Sequence, residues 1–118
     1  MKIMTCCWFD TERIDWESGE GNQIVSISRS EPQGFMPDLK IWEFCPSSSL
    51  LTAFKHNEIT EDEYREIYSK DVNKKISKGI AQLHEGDVLC CWEAEGKFCH
   101  RTILADLLSA HGIEVEIH

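Results

Sequence analysis

Hydrophobic positions change their period along this chain, and the changes mark its elements. Lys2–Phe9, Ile24–Ser28, Leu39–Phe44 and Val88–Trp92 are short apolar-rich runs of strand length. Ile113–Ile117 alternates strictly, with Ile113, Val115 and Ile117 on one face and Glu114 and Glu116 on the other. That pattern predicts a half-buried strand at a sheet edge. The stretch Asp10–Gln23 is polar, contains Glu17-Ser18-Gly19-Glu20-Gly21-Asn22, and reads as a loop between strands.

Helical spacing fills the gaps between the later strands. Pro46-Ser47 precedes Leu50, Leu51 and Phe54, and Asn57 offers a stop. Thr60-Glu61-Asp62-Glu63 is a capping box, with Ile59 and Tyr64 placed for a hydrophobic staple. Tyr64, Ile67, Tyr68 and Val72 continue an apolar stripe. A third helix turns Ile76, Ile80 and Leu83 inward before Glu85-Gly86 leads into a strand. The last helix runs from Cys99 or His100 to His111, burying Leu104, Leu107 and Leu108 and ending at Gly112. The C-terminal unit is thus strand, loop, helix, strand, long enough for a right-handed parallel crossover. These elements predict a single α/β domain over residues 1–118, a mostly parallel sheet flanked by helices in a Rossmann-like three-layer arrangement.

Composition narrows the classes of function. With 42% hydrophobic and 28% charged residues, the 118-residue chain is ordinary for one globular domain. No apolar run is long enough to span a bilayer, and the start lacks the apolar core of an export signal, so a cytoplasmic location is expected. The net charge of −9 argues against non-specific nucleic-acid binding, which needs a positive surface. Lys70, Lys74, Lys75 and Lys78 form a basic stretch that reads as a solvated helix face.

Six cysteines change the picture less than their number suggests. Cys6-Cys7 and Cys90-Cys91 each fall within a strand-like run, so each pair places one thiol on each side of the sheet. Reduced thiols are expected without an export signal, and most should be core residues. No Cys-x-x-Cys occurs, which removes zinc-ribbon and thioredoxin-like readings.

In open parallel sheets, ligands bind beyond the carboxyl ends of the strands. The C-terminal unit brings Cys91, Glu93, Cys99, His100 and Arg101 to one such end. A cysteine at a helix N-terminus is favoured as thiolate by the dipole. Backbone N–H groups of the first turn bind anions, and an adjacent guanidinium adds a planar fork. Glu93 or His100 supplies a general base or acid. Ser28-Arg29, leaving the second strand, places a further arginine near the same edge.

The run Leu89-Cys90-Cys91-Trp92-Glu93…Lys97-Phe98-Cys99-His100-Arg101, followed by a helix and Gly112-Ile113-Glu114-Val115, resembles a bacterial and phage family. That family is labelled domain of unknown function 488, and its pattern is an apolar strand ending in Cys-x-Glu, a short loop, then Cys-His-Arg. Ile27-Ser28-Arg29…Pro32 resembles its N-terminal arginine-and-proline motif, and Ile59–Tyr64 a segment of one branch. The resemblance extends from Ile24 onward. It implies an α/β fold and a site at these residues, and it assigns no activity.

Together these features favour a small enzyme acting on an anionic, nucleotide-like small molecule. Cys91, Glu93, Cys99 and His100 are its candidate catalytic groups, and Arg101, Arg29 and Ser28 its ligand-binding ones. Two alternatives stay open: a non-catalytic binding or regulatory module whose Cys-His-Arg loop is structural, and a metal or thiol redox site. Zinc has a four-residue set in Cys91, Glu93, Cys99 and His100, but adjacent Cys99 and His100 do not readily face one ion, and no metal is assigned. Cofactor and oligomeric state are not read from the chain.

Overall fold

The computed structural model describes residues 1–92 and 98–118. Every predicted strand forms in it, each somewhat shorter than its apolar run. They are β1 (Lys2–Cys7), β2 (Ile24–Ser26), β3 (Leu39–Lys40), β4 (Val88–Cys91) and β5 (Glu114–Ile117). All pair in parallel, in the order β3-β2-β4-β1-β5. As the alternation of the last strand predicts, β5 is an edge strand: Ile113 is buried, Val115 half-buried, and Glu114 and Glu116 face out.

Period two sorts the strand side chains into two cores. Ile3, Val25, Ile27, Leu89 and Cys91 face the larger one, with Tyr64, Tyr68, Ile103, Leu104 and Leu108. Met4, Cys6, Trp8, Ile24, Val88 and Cys90 face the smaller one, with Ile14 and Phe35. The adjacent cysteines of β4, Cys90 and Cys91, are therefore split across the sheet, as expected. Full burial of Leu104 and Leu108 contributes roughly 1.5–3 kcal/mol each.

The helices are α1 (Thr11–Gly19), α2 (Ser48–Lys55), α3 (Glu61–Asn73), α4 (Ile76–Ile80) and α5 (His100–Ala110). The loop predicted over Asp10–Gln23 is corrected by α1, which Asp10 caps by accepting from the Arg13 N–H. Only Ile14 and Glu17 of α1 are buried, and Trp16 is 66% exposed, so no apolar stripe announced it. What demands it is topology: β1 and β2 are parallel with β4 between them, and a parallel connection needs a crossover.

That crossover runs across the sheet in the opposite direction to the one from β4 through α5 to β5. Crossovers of one hand running in opposite directions leave their helices on opposite faces, which makes three layers. Ile14 accordingly packs in the smaller core and α5 in the larger.

Three further expectations shift. β3 stops at Lys40, and Trp42–Phe44 is a 3-10 turn that drives Phe44 into the core while Trp42 faces out. Ile67 lies on the rim of α3 rather than in its buried stripe, which is Tyr64, Tyr68 and Val72. Trp16 and Trp42, large apolar side chains expected in the core or a pocket wall, are surface residues. The Thr60 capping box forms as predicted, with Glu63 N–H donating to Thr60 Oγ1 at 3.1 Å and Thr60 N–H donating to Glu63 Oε1 at 3.0 Å.

Candidate active site

Neighbouring strands β2 and β4 send their chains in opposite directions, β2 outward to β3 and β4 across β1 to β5. Such a parting opens a crevice at the carboxyl edge of a doubly wound sheet. A cleft of about 110 Å³, open to solvent, lies there. Ser28, Arg29 and Ser30 form one wall, and Pro46, Leu51, Phe54, Tyr64 and Phe98 the other. Trp92, Cys99 and His100 complete the lining.

The walls are braced from behind. Trp8 Nε1 donates to Ser28 Oγ at 3.0 Å, and Ser28 Oγ donates to Ser30 O at 2.8 Å. Trp92 Nε1 donates to the same carbonyl at 2.8 Å. Lys40 Nζ bonds both Arg29 O, at 2.7 Å, and the Glu31 carboxylate, at 2.9 Å. Opposite, Phe98 packs its ring at 5.2 Å from Phe54 and 5.3 Å from Tyr64.

At and beneath the floor, four predicted site residues meet. Cys91 ends β4 facing the larger core, and Cys99 is the N-cap of α5 in extended backbone. The Cys99 side chain makes no capping bond. Its sulfur instead lies 2.7 Å from Cys91 Sγ and 3.7 Å from His100 Nδ1. Arg101 Nη1 donates to Cys91 Sγ at 3.1 Å. The hydrogen bond with Cys91, and then burial, push the Cys99 thiol far above its ordinary range, so Cys99 keeps its proton. Cys91 is the natural acceptor between the two donors.

Arg101 is 1% exposed and does not line the cleft. Burial opposes its charge, but the sulfurs of Cys91, Cys99 and Cys7 more than offset that and hold the guanidinium above its usual range. His100 is buried, and burial lowers its pKa to about 4. At neutral pH it is uncharged. Its Nε2 lies 2.7 Å from Ile27 O, a carbonyl that can only accept, so Nε2 carries the proton and Nδ1 is the bare nitrogen facing Cys99. The Tyr68 ring stands edge-on to it at 5.5 Å, itself fixed by an O–H bond to Phe44 O at 2.6 Å.

The remaining predicted residues are placed differently. Arg29 is exposed at the mouth, its guanidinium 5.7 Å from the Trp42 ring. Ser28 lines the wall with its hydroxyl committed to Trp8 and Ser30. Glu93 lies outside the described residues. Among the described residues, no group of three or more histidine, cysteine or carboxylate side chains is gathered as a metal site. Also among them, no helix is long and apolar enough to cross a membrane.

Sequence reading passed over the aromatic wall and Arg65, whose guanidinium lies 5.8 Å from the Phe98 ring. Phe54, Tyr64 and Phe98 carried a signal only as apolar positions. Their convergence is a product of α2, α3 and the start of α5 packing together.

Fold and site define a doubly wound α/β protein with a thiol pair at the point where the strand connections part. The family model for DUF488-N3a, described as the active DUF488-N3 subclade, matches residues 10–112. The chain belongs to the DUF488 family. No curated protein and no solved structure matches it.

Proposed function

We propose that this protein is a small enzyme acting on an anionic small molecule, with Cys99 as the nucleophile. The observation that carries this is the environment of Cys99 Sγ. It sits at the floor of a cleft, unused in capping, 2.7 Å from a second sulfur that accepts from a buried arginine. As Cys99 attacks an electrophilic centre, its proton passes to Cys91 Sγ, which Arg101 has held as the acceptor. His100 is a poor proton acceptor, being uncharged and buried, and serves as a positioning residue that ties the start of α5 to the end of β2. The description of the matching subclade as active agrees with a working site.

Arg101, turned to Cys91, leaves the anion to Arg29 and Arg65 near the cleft mouth. A flat ring fits the aromatic wall of Phe54, Tyr64 and Phe98. A nucleotide-like ligand joins those two features.

Melting of the protein with a nucleoside monophosphate, the matching uncharged nucleoside and inorganic phosphate tests the reading. The nucleotide should raise the melting temperature more than either fragment, and Arg29→Ala should lose most of that shift while melting normally alone. The nucleotide should also slow alkylation of Cys99. If none of the three shifts melting or protects Cys99, the non-catalytic module is the better account.

A further inference from the structure

We propose that Cys91 and Cys99 form a reversible dithiol–disulfide pair, oxidised by a small hydroperoxide entering through the cleft. It rests on the same thiols as the enzyme reading and adds control of that site by oxidation.

Geometry singles out these two thiols. Their sulfurs are 2.7 Å apart, so closing to a disulfide of about 2.05 Å asks only a small rotation of the side chains. Cys99 is the cysteine that lines the cleft among the described residues. The others are placed elsewhere. Cys6 and Cys90 also meet thiol to thiol but lie in the smaller core across the sheet, away from the cleft, and Cys45 is buried with its sulfur against Ser28 O and Ile41 O. Cys7 Sγ is turned to Trp92 O at 3.4 Å.

The chemistry balances with the hydroperoxide as sole oxidant. The starting pair is the Cys99 thiol and a Cys91 thiolate facing Arg101. Cys99, its proton moved to Cys91, attacks the terminal oxygen. The O–O bond breaks, the alkoxide takes that proton from Cys91 and leaves as an alcohol (or water, from hydrogen peroxide), and Cys99 becomes a sulfenic acid. The Cys91 thiolate then attacks Cys99 Sγ, the S–O bond breaks, and hydroxide leaves as water with a proton from solvent. One thiol and one thiolate lose two electrons, and the peroxide is reduced to alcohol and water. Arg101 holds the Cys91 sulfur in place for the second step. Cys99 is only 4% exposed, which admits a small peroxide and excludes a bulky disulfide donor. The product lacks both the nucleophile and its proton acceptor, so oxidation silences the site.

The test is peptide mapping of the wild-type protein after stoichiometric hydrogen peroxide and blocking of remaining thiols, with no ligand present. Trypsin cuts after Lys78, Lys97 and Arg101, so the link joins peptide 98–101 to peptide 79–97, and fragmentation distinguishes Cys91 from Cys90. The expected result is a Cys91–Cys99 link in most molecules, reversed by dithiothreitol and lost in a folded Cys99→Ser variant. Accumulation of Cys99 sulfinic acid with Cys91 still alkylatable after unfolding would overturn the proposal. So would a link that forms only after denaturation. Because no ligand is used, this outcome is independent of the melting assay above.

Discussion

Arg101 Nη1 and Cys91 Sγ lie 3.1 Å apart in the interior, ten residues apart in sequence, joining the first turn of α5 to the last residue of β4. Sulfur acceptors beside a guanidinium that is 1% exposed offset the cost of burying its charge. Removing either partner therefore disturbs both chemistry and packing. Arg101→Met should lower stability by about 2–4 kcal/mol, read by urea denaturation. It should also slow alkylation of Cys99 at pH 8 at least several-fold. Unchanged alkylation in the folded variant would show that Arg101 is structural only.

His100 makes the protein sensitive to mild acid. Its folded pKa is about 4, against 6.5 for the free side chain, because burial disfavours the imidazolium. The unfolded chain therefore takes up a proton at a pH where the folded one does not. The stabilisation is complete above pH 6.5 and is lost as pH falls through 4, by an amount on the order of 3 kcal/mol. His100→Gln, which can still donate to Ile27 O, should show a shallower fall in stability between pH 6.5 and 4. An equal slope in both proteins would remove His100 as the cause.

Asp87 has the opposite sign. Its side chain is buried at the start of β4, Oδ2 accepts from His84 N–H at 2.8 Å, and burial raises its pKa. The contribution is present below pH 3.8 and lost as pH rises through the folded pKa, so at neutral pH the ionised carboxylate is a cost. Asp87→Asn should therefore compare more favourably with wild type at pH 7 than at pH 3.5 in chemical denaturation. A constant difference across that range would show that Asp87 does not titrate differently on folding.

Gly79 in α4 lies against the ring of Phe44, where an added Cβ would collide with the side chain. Phe44 is fully buried and cannot swing out, so Gly79→Ala should cost about 1–3 kcal/mol. Phe44→Leu, combined with Gly79→Ala, should recover part of that loss in a double-mutant cycle. Strict additivity of the two changes would mean that they do not meet.

Much of this was legible in the chain because the relevant physics is local. Strand alternation separated Cys90 from Cys91, and the Thr60–Glu63 pair marked the start of α3. The spacing of Leu104, Leu107 and Leu108 marked α5. The cluster of Cys91, Cys99, His100 and Arg101 was visible because one strand and the helix after it supply all four. Local pattern misled where burial was slight. Helix α1 turns one large apolar side chain inward, so its sequence looks like a loop.

The sequence by itself determined the parallel α/β class, the two-sided cysteine pairs and the edge toward which the Cys-His-Arg residues gather. Periodicity and capping are written within a few residues, and they act before distant segments meet. Only the tertiary structure decided where each gathered group points and what it touches. Arg101 turns inward to Cys91, while Arg29 remains at the mouth. His100 is neutral because tertiary packing buries it, with Tyr68 edge-on to its ring, while Ile27, 73 residues away, fixes which nitrogen carries the proton. The aromatic wall exists because α2, α3 and the start of α5 pack side by side. Direction, burial and charge state depend on which surfaces close over a side chain, and no local pattern specifies those.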